Sequence, residues 1–185
     1  MIIETIVSTL DESGAPNFAP MGVIIHEEFI MVHPYRNTRT CRNLIRSGYG
    51  VVNFSDNALA YVQSGLYHAV LPNFPASTIP GVVYKETCSW QESVLVSQGG
   101  SEDRAELQFR VLHKGTLKEF LGFCRAGNAV IEATILATRL DLYDTDAVNQ
   151  ALMRYREIVV KTGGASEKKA FQLILDFVKK RGSDD

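Results

Sequence analysis

The first 33 residues hold three runs rich in β-branched and aromatic residues, separated by gaps with room only for turns. Ile2 to Thr9 reads as a strand. Asp11-Glu12-Ser13-Gly14 is turn chemistry. Phe18 to Ile25 is a second strand, His26-Glu27-Glu28 turns again, and a third strand runs from Phe29 to His33. Strands joined this tightly pair antiparallel, so the chain opens as an antiparallel meander. Pro20 and Gly22 inside the second strand point to an edge, a bulge or a close approach to the backbone. A flat aromatic ligand could lie against such a strand and bond its N–H and C=O groups; a plain bulged edge is the competing reading.

The meander runs into His33-Pro34-Tyr35-Arg36-Asn37-Thr38-Arg39-Thr40-Cys41-Arg42-Asn43-Leu44. This is a strand end, a polar loop and the first turn of a basic helix. Thr38 suits the N-cap and Gly48 the C′ position. At 100° per residue Cys41, Leu44 and Ile45 share an inward face, with Arg39, Arg42, Asn43 and Arg46 opposite. The first N–H groups of a helix lack internal acceptors and carry the positive end of the dipole. Together with the Thr38 and Thr40 hydroxyls and the arginines, they form an arrangement suited to phosphate. An ordinary capped helix with solvated arginines would use the same residue types more sparsely.

Tyr49 to Phe54 resumes a strand, and Asp56 to Gly65 reads as a short helix capped by Asp56. Residues 66–82 contain Pro72, Pro75, Pro80 and Gly81 and read as a long loop, of the kind that often carries function. Val82 to Val96 and Ala105 to His113 continue the strands around the turn at 99–103. After Lys114-Gly115 the pattern becomes helical. Arg125 to Leu140 reads as a mostly buried helix, though its β-branched content also suits a strand. Within it, Glu132 is expected to be buried and ion-paired with Arg125 or Arg139. Val148, Leu152, Tyr155, Ile158 and Val159 keep a helical period over 146–161. Gly163-Gly164 ends that helix, and Ser166 is expected to cap a last one. The class is therefore β-rich α+β, with a first domain over 1–115 and a C-terminal helical subdomain over 116–185.

The net charge of -2 gives no bulk support for nucleic-acid binding. Cys41, Cys88 and Cys124 are odd in number and form no CxxC pair, which argues against a disulfide framework or a zinc site and fits a reducing cytoplasm. The N-terminus has no basic region followed by a long apolar run, so neither a signal peptide nor a membrane span is expected. His26, His33, His68 and His113 lack metal-ligand spacing, and no nucleophile-elbow, dinucleotide or P-loop motif occurs. No metal is expected, and no residue stands out as a general acid or base. Trp90 reads as core.

The strand ETIVST, the strand NFAPMGV, the strand FIMVHPY, the TRTCRNL turn and the strand YGVVNF follow in an order that resembles the FMN-binding split-barrel superfamily of flavin reductases and pyridoxamine-phosphate-oxidase-like proteins. With AVIEATILATRLDL and the later KTGG and KKAF segments, the chain more narrowly resembles a flavoprotein family of archaea and bacteria associated with tetrahydromethanopterin-linked one-carbon metabolism. The resemblance implies an antiparallel split β-barrel of six strands followed by a small C-terminal helical subdomain, and a homodimer with FMN near its interface. It implies that Thr38, Arg39, Thr40 and Asn43 hold the phosphate, that Met21, Gly22 and Val23 run beside the isoalloxazine ring, and that Ser8 and Thr9 reach the flavin. The expected function is that of a cytoplasmic flavin-dependent oxidoreductase with a small-molecule redox partner. The alternatives are a non-catalytic flavin carrier or sensor, and a split barrel for haem or a pterin.

Overall fold

The structure is a computed structural model and describes residues 1–181. The chain divides into two compact units, residues 1–55 with 69–120 and residues 56–68 with 121–185. The second unit thus takes in a segment, 56–68, that lies between two stretches of the first.

In the first unit six strands close into an antiparallel barrel. They are β1 (Ile2–Leu10), β2 (Pro16–His26), β3 (Phe29–Val32), β4 (Tyr49–Phe54), β7 (Ser89–Gly100) and β8 (Ala105–Thr116), in the order β1-β2-β3-β8-β7-β4. The expected meander is present, with β1 pairing β2 from Ile2↔Ile24 to Leu10↔Pro16 and β2 pairing β3 over Val23–His26. Among the described residues, residues 16–22 of β2 therefore pair with β1 alone, the edge that Pro20 and Gly22 imply. Alternate residues of the strands fill the barrel with Val7, Val23, Ile30, Val32, Val52, Leu107 and Phe109. Helix α1 (Arg39–Ser47) adds Cys41 and Leu44 to that core.

The stretch expected to be a long loop contains strands β5 (Asn73–Pro75) and β6 (Val82–Tyr84), which pair with each other. Here Ile79 and Val83 pack with Val51 and Trp90, while Phe74 stacks edge-on against the Trp90 ring at 5.7 Å between centroids. Three buried polar side chains fasten this excursion to the barrel. Ser8 Oγ donates to the Val82 carbonyl at 2.6 Å, Asn53 Oδ1 accepts from Tyr84 N–H at 2.9 Å, and the Glu92 carboxylate accepts from Ser77 and Thr78. A buried polar group that lacked such a partner would be costly, so each of these bonds fixes the path of the excursion as well as its contact.

The second unit is helical: α2 (Ala58–Leu66), α3 (Arg125–Ala137), a 3-10 turn at Leu140–Leu142, α4 (Thr145–Thr162) and α5 (Ala165–Arg181). Ala126, Ala129, Val130, Ala133 and Ala137 of α3 pack with Val62, Leu152, Val159, Phe171 and Ile174. This settles Arg125–Ala137 as a helix, because small residues on one face let neighbouring helices approach. Three expectations are corrected. Asn57, not Asp56, caps α2, accepting from Leu59 and Ala60 N–H. Ser166 lies within α5, whose start is closed instead by Glu167 reaching back to Gly164 N–H at 2.8 Å. Glu132 is exposed and has no salt bridge among the described residues, because the small residues on either side of it take the buried face.

Candidate functional site

Helix α1 starts as its sequence dictates. Thr38 is extended (φ -82°, ψ 149°) and accepts from Cys41 N–H at 3.2 Å, while its hydroxyl donates to the Tyr35 carbonyl at 2.7 Å. Gly48 ends the helix in the left-handed region (φ 71°), with its N–H on the Leu44 carbonyl. Neither Arg39 nor Thr40 N–H has a protein acceptor among the described residues. The helix therefore presents two free donors at the positive end of its dipole.

The buried face of α1 differs from the apolar arc expected. It runs through Thr40, Cys41, Asn43 and Leu44, and Ile45 is exposed. Asn43, expected on the outer face, is turned inward by its hydrogen bond to a strand. Asn43 Nδ2 donates to Thr9 Oγ1 at 3.0 Å, Asn17 Nδ2 to the same oxygen at 3.3 Å, and Asn17 Nδ2 also to Thr40 Oγ1 at 3.0 Å. This network ties β1, β2 and the helix start together. Thr40 and Asn43 are each only 5% exposed, so their side chains fix where the free N–H groups point.

The four arginines are used differently. Arg36 donates to the Gly99 and Ser101 carbonyls at the β7–β8 turn (2.8 and 2.7 Å), and Arg46 to the Leu10 carbonyl at 2.7 Å. Arg39 pairs with Asp11 of the β1–β2 turn. The Ser13 hydroxyl, the Ala15 N–H and the Arg39 guanidinium hold the Asp11 carboxyl well below the usual carboxylate range. The side chain of Arg42 has no partner among the described residues. An open cleft of about 630 Å³ lies along this side of the helix, lined by Asp11, Ser13, Arg39, Arg42, Asn43 and Arg46 among others.

The remaining expected site residues fall in two places. Thr9 joins the helix network, whereas Ser8, its neighbour on β1, points to the opposite face and binds Val82. Met21 and Gly22 lie on the length of β2 that, among the described residues, has no partner strand except β1, and Val23 begins the β3 pairing and is fully buried. Thr5 Oγ1 donates to the Met21 carbonyl at 2.8 Å. His33 faces Glu106 on β8 at 3.7 Å.

Two carboxylates were not singled out by sequence. Asp11 read only as a turn residue, and its link to Arg39 spans 28 positions. Glu92 is fully buried and receives four donors: Ser77 N–H, Thr78 N–H, the Thr78 hydroxyl and Trp90 Nε1. Burial works against its ionisation, but the donors outweigh it and bring its pKa down to about 2. The signal available was a charged residue amid the alternating strand Ser89–Val96, which does not reveal its partners. Among the described residues no cluster of His, Cys, Asp and Glu could hold a metal, and no helix is long and apolar enough to cross a membrane.

Family models described as "Protein of unknown function (DUF447) N-terminal domain" and "Protein of unknown function (DUF447)" match residues 3–118 and 124–176. An FMN-bound DUF447 protein from Methanosarcina mazei superposes with a TM-score of 0.83 at 26% identity, covering 95% of this chain and 94% of that one. A putative flavin reductase with a split barrel domain from Shewanella frigidimarina gives a TM-score of 0.55 at 14% identity (64% of this chain, 69% of that one). An FMN-binding protein from Thermus thermophilus, crystallised with p-hydroxybenzaldehyde, gives 0.55 at 14% identity (62% and 71%). At that identity the last two establish the fold alone: the first unit is a split barrel.

Proposed function

The chain belongs to the DUF447 protein family, and from that premise we propose that it binds FMN and acts as a flavin-dependent oxidoreductase. The observation that carries the cofactor is the end-to-end likeness to the FMN-bound relative from Methanosarcina mazei. The residues of this chain fit the group. The phosphate would meet the free N–H groups of Arg39 and Thr40 at the start of α1, with Thr38, Thr40 and Asn43 fixing that turn. The ring system would run beside Met21–Val23, where β2 has an open edge over residues 16–22. When bound, FMN supplies the redox chemistry, and the protein supplies binding, orientation and charge. The open β2 edge also suits a homodimer with the flavin near its interface, since an unpaired strand edge in a soluble barrel favours cover.

The test of the phosphate assignment is a titration of apoprotein with FMN and with riboflavin, which lacks the phosphate. Two charge-assisted bonds to backbone donors favour FMN by about tenfold to a hundredfold or more. Equal affinity for the two removes the assignment. Reduction of the bound flavin by NAD(P)H or by a reduced deazaflavin supports the oxidoreductase, whereas a flavin that neither donor reduces favours a carrier or sensor.

A further inference from the structure

We propose that Arg42 is the guanidinium that grips the anionic group of the bound ligand, and that Arg39 is held back from this role by Asp11. The inference rests on the FMN reading above and assigns the charge within that site. Arg36 is fixed on two carbonyls of the β7–β8 turn and Arg46 on the Leu10 carbonyl. Arg39 faces a carboxylate that is itself immobilised: Asp11 Oδ1 accepts from Ser13 N–H, the Ser13 hydroxyl and Ala15 N–H, leaving Oδ2 for Arg39. A phosphate approaching Arg39 meets this fixed negative charge and has to share the guanidinium with it.

Arg42 shares the cleft with the Asp11 and Glu12 carboxylates, but among the described residues it is ion-paired to neither. It lies three residues beyond Arg39 on the same helix face, and helical side chains lean toward the N-terminus, so its side chain reaches back over the first turn. It lines the same open cleft, and among the described residues no protein partner takes any of its five donors. A planar fork with all donors available suits bidentate capture of a phosphate, which a point charge reproduces only in part.

The experiment compares the affinity ratio of FMN to riboflavin in the wild-type full chain, Arg42→Ala, Arg42→Lys and the double variant Arg39→Ala/Asp11→Asn, by flavin fluorescence quenching. The ratio cancels effects on the ring and on folding, and both arginines are exposed. Arg42→Ala is expected to lower the wild-type preference by about tenfold or more, and Arg42→Lys by less. Made together with Asp11→Asn, so that no bare carboxylate is left in the cleft, Arg39→Ala is expected to change it by less than about threefold, as for an exposed, already paired charge. An unchanged ratio in Arg42→Ala, or a larger loss in the Arg39→Ala/Asp11→Asn variant, overturns the inference and leaves the FMN reading intact. A wild-type protein with no preference for FMN overturns the phosphate reading and this inference with it.

Discussion

Glu92→Gln takes one acceptor oxygen away from the bonds that fasten residues 76–81 to the barrel. In the wild type Oε1 accepts from Ser77 N–H at 2.8 Å and Trp90 Nε1 at 3.1 Å, and Oε2 from Thr78 N–H at 2.7 Å and the Thr78 hydroxyl at 2.6 Å. A glutamine amide nitrogen placed at the first position would orphan two N–H donors. At the second it orphans only Thr78 N–H, because the hydroxyl can turn and accept. The second arrangement therefore prevails, and one unsatisfied buried donor costs about 1–3 kcal/mol. Loss of charge from the two remaining bonds brings the total to roughly 2–4 kcal/mol, since charge-assisted bonds are about twice as strong as neutral ones. The same carboxylate makes stability depend on pH. Its pKa falls from 4.5 to about 2 on folding, equivalent to about 3 kcal/mol. A depressed carboxylate stabilises the fold above its unfolded pKa, and that contribution fades as pH falls from about 4.5 toward 2. Trp90 is the only tryptophan of the chain and bonds Glu92 directly, so its fluorescence reports this site in urea unfolding. The wild type should exceed Glu92→Gln by roughly 2–4 kcal/mol at pH 7, with most of the gap gone by pH 2–3. A gap below about 1 kcal/mol at pH 7, or one that is the same at both pH values, would refute the reasoning.

Asn53→Ala removes the acceptor of Tyr84 N–H and the donor to Ile6 O and Ser8 Oγ, and should lower the urea midpoint by the equivalent of about 2–4 kcal/mol. Gly115→Ala would place a methyl 2.2 Å from the Trp90 ring, so it should destabilise the protein by about 1–3 kcal/mol and shift the Trp90 emission, while Gly99→Ala, whose methyl meets nothing within 4 Å, leaves that emission unchanged. Cys41 and Cys88 are buried and Cys124 is exposed, so a thiol reagent should modify one cysteine rapidly in the native protein and all three after unfolding; burial also pushes the Cys41 thiol pKa up.

Much of the barrel was legible because its signals are local. The meander, the Thr38 cap, the Gly48 stop and the Tyr49–Phe54 strand each depend on residues next to one another. The helical unit was legible as helices, yet the grouping of 56–68 with 121–185 depends on packing partners more than fifty residues apart. Cap positions slipped by one or two residues at Asn57 and Gly164, where neighbouring polar residues compete for the same role. At the helix start the cap and the stop were legible, and the contacts of the polar side chains were not. Asn43 looked outward by helical angle, but its amide reaches a strand hydroxyl and is buried. The resemblance assigned Arg39 to the phosphate, and the pairing of Arg39 with Asp11, 28 positions away, had no local sign. Glu92 gave no local sign of the four donors that converge on it.

The cofactor itself is the most direct test. The protein purified without added flavin, or the apoprotein reconstituted with FMN, should show flavin absorbance and release FMN on denaturation, identified by chromatography against riboflavin and FAD standards. A preparation that releases a different cofactor, shows a haem spectrum, or takes up no FMN on reconstitution would contradict the account.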